Sequence, residues 1–138
     1  MNINREYKKI INQVKICGFQ YEDKRRGVQR TQIPSYTLRH ELSYGFPLIG
    51  IKKTPIKTVI TELLWFLRGD NKLKFLHENG CRIWDKDAEN WKAKTGEIGS
   101  AGRNYSVQWR DYNGDTDQIV NLINNMIDNI MDTRLIVQ

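Results

Sequence analysis

The chain has 138 residues, 39% hydrophobic and 28% charged, which suits one small globular domain and excludes an intrinsically disordered chain. No run approaches the roughly 18 consecutive apolar residues of a membrane span, and the N-terminus, Met-Asn-Ile-Asn-Arg-Glu, carries no apolar signal segment, so a cytoplasmic protein is expected. The net charge of +6 and the pI of about 9.4 favour anionic partners. The bases are scattered rather than massed in a tail, which weakens a nucleic-acid reading and leaves a phosphorylated metabolite open.

Residues 3–17 place Ile3, Tyr7, Ile10, Ile11, Val14 and Cys17 at helical spacing, with Gly18 as the stop. Residues 23–29 read as a polar, arginine-rich loop around Gly27. Residues 31–42 favour extended structure, although Pro34 argues against a central strand there. Gly45-Phe46-Pro47-Leu48 is a turn. Thr54 as cap and Pro55 in the first turn then open a helix through Ile56, Val59, Ile60, Leu63, Leu64, Phe66 and Leu67, ended by Gly69. That helix is apolar on most sides and is expected to be buried. A short helix is expected over 71–79, and a polar, irregular stretch over 85–103. A one-sided helix should run from Thr116 to Ile130. Arg134-Leu135-Ile136-Val137 reads as the start of a buried strand that needs neighbours from further polypeptide.

The two cysteines, Cys17 and Cys81, lie far apart and outside any C-x-x-C pair, so small, half-buried thiols are expected rather than a disulfide. His40 and His77 lack metal-ligand spacing, and no metal site is expected. Glu62 is the most informative residue, because it sits within the apolar run Ile60–Leu67. A carboxylate in such surroundings must be bonded, paired or protonated, and burial suits it to proton handling through ordered water. An exposed glutamate on a thin polar stripe with Thr58 and Thr61 is the other reading. Trp84 could stack on a planar ring or simply pack. Tyr105, between Gly102-Arg103-Asn104 and Gln108-Trp109-Arg110, could orient a polar substrate or be a packing residue. Arg25, Arg26 and Arg30 surround Gly27 and either grip a phosphate or form a solvated basic loop. Arg134 sits beside Asp132 and could equally make a surface ion pair. Taken singly, these residues indicate only a domain that binds an anion.

Together they carry more. Gly45-Phe46-Pro47-Leu48, Lys52, Glu62-Leu63-Leu64-Trp65-Phe66-Leu67-Arg68-Gly69-Asp70, Leu76-His77-Glu78-Asn79, Ile83-Trp84-Asp85, Tyr105 with Gln108-Trp109-Arg110, and Asp117-Gln118-Ile119 resemble the thymidylate synthase family in order and near-family spacing, over almost the whole chain. The resemblance implies an α+β fold, here its N-terminal part over residues 1–138, with helices packed on a partial mixed β-sheet. It implies reductive methylation of dUMP to dTMP, with 5,10-methylenetetrahydrofolate as co-substrate, in a homodimer. In that chemistry a cysteine adds to C6 of the uracil, the ring becomes an enolate nucleophile, and C5 takes the one-carbon unit.

By the motif match, Glu62 resembles the family's proton-handling glutamate and Tyr105 the tyrosine near the C5 proton. Trp84 resembles the folate-packing tryptophan, and Lys52 falls at the active-site lysine position. Arg25 resembles the flexible-loop phosphate arginine, and Arg134 an arginine reaching the partner subunit's nucleotide. The chain departs from the family with Arg25-Arg26-Gly27 in the phosphate loop, Pro55 in place of a histidine, Tyr105-Ser106 in place of Tyr-Gly, Arg134-Leu135 in place of paired arginines, and a longer segment over 86–101. The family's nucleophile, in a Pro-Cys-His setting, is expected beyond residue 138. A truncated chain without turnover of its own is therefore expected, and neither Cys17 nor Cys81 fills the nucleophile's place. A deoxypyrimidine (dCMP or dUMP) hydroxymethylase of the same superfamily, a non-catalytic nucleotide- or RNA-binding module, and a decayed fragment are the alternatives.

Overall fold

The computed structural model describes residues 2–138, which divide into two compact units meeting at Thr54 and Pro55. In the first unit, helix α1 (Ile3–Cys17) begins at Asn2, whose side chain accepts from Asn4 N. Gly18 ends the helix because no side chain fits: a Cβ there would lie 2.3 Å from the Val14 carbonyl oxygen and 2.5 Å from Thr31 Cγ2. Strands β1 (Phe19–Asp23) and β2 (Val28–Gln32) form an antiparallel hairpin in which Phe19 faces Gln32 and Asp23 faces Val28. The expected mixed sheet is thus a two-stranded antiparallel ribbon. Its turn needs Gly27 at φ +62°, and Arg30 bonds Asp23 across the strands at 2.9 Å. The extended stretch expected over 31–42 stops pairing at Gln32, just before Pro34, which has no N–H to donate. Asn4 Oδ1 accepts from Gly50 N (2.7 Å) and Ile51 N (3.2 Å), fixing the following segment to α1. Thr54 caps no helix, and its hydroxyl donates to the carbonyls of Ile49 and Lys52.

The second unit consists of helices α2 (Ile56–Leu67), α3 (Lys74–Glu78), α4 (Asp85–Thr95), α5 (Tyr105–Arg110) and α6 (Gln118–Asp128). Its core is Trp65, Leu73, Leu76, Cys81 and Ala88, with Phe66, Phe75, Trp84 and Ala101 packed against them. Trp65 is 0% exposed and also donates Nε1–H to the Lys72 carbonyl at 3.0 Å, so one side chain fills the core and satisfies the loop after α2. Ser106, also fully buried, donates to the Trp65 carbonyl and joins α5 to α2. Arg110 joins three helices. Its NH1 donates to the Leu67 carbonyl at the end of α2 (2.7 Å), and its Nε donates to Asp117, the N-cap of α6 (2.8 Å).

Several expectations are corrected. The stretch from 85 onward is not irregular, since Asp85–Thr95 is helical. Asp85 and Asp87 lie in its first turn, Lys92 and Lys94 in its last, and left-handed Gly96 follows, all in agreement with the helix dipole. Helix α2 is not buried on most sides: only Thr61 and Trp65 are buried, and Leu63 and Leu64 are each 48% exposed. Residues 134–137 form no strand, because they pair with no strand among the described residues. Instead, Gln118 holds the chain end, donating to the Gln138 carbonyl and accepting from its N–H. The cysteines are not a half-buried pair, for Cys17 is exposed and Cys81 is 1% exposed in the core.

Two outcomes follow from this packing. Trp65→Ala should cost about 3–5 kcal/mol in a denaturant titration, because it leaves a cavity and strips the Lys72 carbonyl of its donor; a loss below about 1 kcal/mol would show that the core is not where these contacts place it. Asp85 is held below the usual carboxyl value of 3.8 mainly by its hydrogen bond with His77 (2.6 Å), with Arg82 adding to it. The folded form therefore gains stability above that value and loses it as pH falls through the depressed pKa. Asp85→Asn should lower stability near neutral pH and flatten the acid limb, as read from denaturant midpoints at successive pH values; identical acid limbs would contradict it.

Candidate active site

On α2, Thr61 and Trp65 point into the core one turn apart, and Glu62 and Phe66 form the next row of the same face. Trp84, at the N-cap position of α4, donates its indole Nε1–H to Glu62 Oε1 at 2.8 Å. The carboxylate is half-buried and has a charge-assisted donor, as a carboxylate in an apolar row requires. Phe66 is the hub beneath it. Its ring centroid lies 5.6 Å from Trp65, 6.0 Å from Trp84, 5.8 Å from Tyr105 and 5.5 Å from Trp109, mostly edge to face. Tyr105 opens α5, whose N-cap Asn104 accepts from Ser106 N at 2.8 Å. Its ring stands 6.4 Å from that of Trp84 and is 61% exposed.

Trp84 and Tyr105 border an open cavity of about 530 Å³, lined also by Trp91 and Lys94 of α4 and by Arg103 and Gln108. Glu62 does not line it and reaches it through Trp84. Trp91 is held by its Nε1–H bond to Glu97 (2.8 Å), and Glu97 is also bonded to Lys72. Those two donors, Lys72 first, hold the Glu97 carboxyl below its usual range. Gly102, at φ +70°, lies flat against the indole, where a Cβ would come within 2.7 Å of Trp91.

Of the residues expected from sequence to form a site, Glu62, Trp84 and Tyr105 come together. Arg134 shares no hydrogen bond with them among the described residues. It forks onto Asp132 through Nε and NH2, both at 3.1 Å, and each partner stabilises the other's charge, lowering the Asp132 pKa and raising that of Arg134. Arg25 and Lys52 belong to the first unit, Arg25 exposed in the hairpin turn and Lys52 exposed ahead of Thr54. Sequence reasoning missed Trp91, Lys94 and Arg103. The signal was the spacing of 84, 87, 91 and 94 along one helix face, hidden because that face is largely polar.

The sequence profile of the family described as thymidylate synthase matches residues 5–138. A thymidylate synthase of Francisella philomiragia subsp. philomiragia is 39% identical over 134 residues, covering 96% of this chain and 46% of that protein. Thymidylate synthases of two Francisella tularensis subsp. holarctica strains are 38% identical over the same shares. The chain thus spans about half the length of the curated relatives it matches. With the profile matched along nearly the whole sequence and relatives 38–39% identical over 96% of it, this chain belongs to the thymidylate synthase family.

Proposed function

We propose that this chain forms the proton-handling and ring-packing wall of a site that converts dUMP to dTMP with 5,10-methylenetetrahydrofolate. The observation that carries this reading is the Trp84–Glu62 hydrogen bond at the edge of the aromatic cluster that includes Tyr105. Adding a thiolate to C6 of uracil puts charge on the O4–C5 enolate, and the reaction then requires the C5 proton to leave. Glu62, oriented by its hydrogen bond from Trp84, holds and relays protons through water at the uracil carbonyl. Tyr105, exposed at the cavity edge, presents its hydroxyl as acceptor and donor near C5.

The co-substrate's flat rings fit the walls offered by Trp84, Tyr105 and Trp91. When bound, methylenetetrahydrofolate supplies the one-carbon unit and the hydride. Trp84 and Tyr105 exclude water from one face of it, and Lys52 is assigned to its edge. Arg25 is free to fork onto the nucleotide phosphate, having no carboxylate partner among the described residues. Arg134 must exchange Asp132 for phosphate, as an arginine reaching into a partner subunit's site would.

The nucleophile has to come from other polypeptide. Cys81 is sealed in the core, and Cys17 ends α1 in the first unit, with no acid or base bonded to it among the described residues. The chain alone should therefore form no dihydrofolate, and sustained turnover in an absorbance assay would overturn this. Paired with the remaining portion of a relative such as the Francisella philomiragia enzyme, it should form dTMP from dUMP. In that complex Glu62→Gln should lower the rate about 10²–10⁴-fold, measured together with tritium release from C5-labelled dUMP. A Glu62→Gln rate within twofold of the parent would remove the glutamate from the chemistry, and a hydroxymethyl product would mark the hydroxymethylase instead.

A further inference from the structure

The bond from Trp84 to Glu62 requires the indole to be delivered to one place, yet Trp84, as N-cap of α4, makes no side-chain capping contact that would fix the start of that helix. The next residue supplies the anchor. Asp85 accepts from His77 Nε2 on Oδ1 at 2.6 Å and from Arg82 NH1 on Oδ2 at 3.1 Å. His77 stands in the last turn of α3, with its N–H on the Leu73 carbonyl and its own carbonyl accepting from Gly80, both at 2.9 Å. Its neighbour Leu76 is fully buried, so the imidazole is mounted on a helix seated in the core. Arg82 comes from the link between α3 and α4 and its side chain is 70% exposed, which makes it the weaker of the two holds. His77 and Asp85 both lie in runs that carry the family resemblance. Neither lines the cavity bordered by Trp84 and Tyr105; they line a smaller recess of about 240 Å³.

We infer that His77 is a positioning residue for Glu62: through Asp85 it fixes the first turn of α4, and with it the Trp84 indole that holds the glutamate. The inference rests on the assignment of Glu62 to proton handling. The path has three links. His77 Nε2–H binds the Asp85 carboxylate, one peptide bond joins Asp85 to Trp84, and Trp84 Nε1–H binds Glu62 Oε1 at 2.8 Å. The imidazolium and the neutral ring with its proton on Nε2 both donate to a carboxylate, so the tie holds on either side of the histidine's titration. Without it, Trp84 keeps its carbonyl bond from Ala88 N (3.0 Å) and its ring contacts with Trp65 and Phe66. Those contacts keep the ring in its layer but do not aim its N–H.

The test follows the indole N–H signal of Trp84 by NMR in the full chain, identified with Trp84→Phe. His77→Ala should speed its exchange with solvent about three- to tenfold and leave unchanged that of Trp65, which donates to the Lys72 carbonyl. His77→Asn, whose amide stops short of Asp85, provides a polar second variant and should behave like the alanine. His77→Gln, whose amide N–H falls near the Nε2 position, should restore the parent rate, and Arg82→Gln should change it by less than about twofold. Equal acceleration at Trp84 and Trp65 would mark a general loosening and overturn the inference. So would unchanged Trp84 exchange in His77→Ala, or no rescue by glutamine. In the complex with the remaining portion of a relative, His77→Ala should lower kcat about tenfold with the KM for dUMP within about twofold of the parent; a change in KM alone would overturn it. A Trp84 response to His77→Ala, combined with failure of the parent complex to form dTMP, would uphold the tie from His77 to Glu62 and remove only the catalytic reading of the glutamate.

Discussion

The hydrogen bond from the Trp84 indole to Glu62 decides how the second unit is arranged. A carboxylate one turn before Phe66 on a mostly apolar helix must find a donor or turn outward. Trp84 provides that donor from the N-cap of α4, 22 residues later in the chain. Bringing the indole there also sets its ring 5.3 Å from that of Trp65, tilted by 54°, and in a T-shaped pair with Phe66, so one polar contact sets the position of an aromatic layer that dispersion alone would leave free to slide. Tyr105 follows, because α5 is bonded to α2 through Ser106 and Arg110 and has little freedom to place its first residue elsewhere.

The same arrangement leaves much apolar surface uncovered. Leu63 and Leu64 of α2 are half exposed, and Ile127 of α6 is 76% exposed. Both helices pack against α5, yet each leaves apolar side chains uncovered among the described residues. Surface of this kind is unusual on a monomer. It accords with relatives that are about twice as long as this chain and with the proposal that the complete site draws on further polypeptide.

Legibility in the sequence followed the strength of the local signal. Helices α1, α2 and α6 announce themselves through apolar periodicity, and their centres lie where the pattern puts them. Glu62 was legible for the opposite reason, as the one charge in an oily run. Helix α4 was not, because Ala88 and Trp91 are nearly alone among polar residues and its evidence lies in end charges and Gly96. The short α5 is held by tertiary bonds from Ser106 and Arg110 that no local pattern contains. The burial expected for α2 and the strand expected at 134–137 came from reading hydrophobicity as burial. Hydrophobicity states what a segment could bury; the partner has to be supplied by something else.

Arg110 has a mechanical meaning. One planar guanidinium closes the open carbonyl end of α2 and grips the acidic cap of α6, while Gly69 gives the stem room, with a Cβ there falling 2.8 Å from Arg110 Cβ. Neither helix can tilt or slide alone without stranding the Leu67 carbonyl or parting the Asp117 charge from its counterion. The rod bearing Glu62 and the rod bearing the exposed Ile127 surface are therefore pinned to one another, and a force on either is felt at the other.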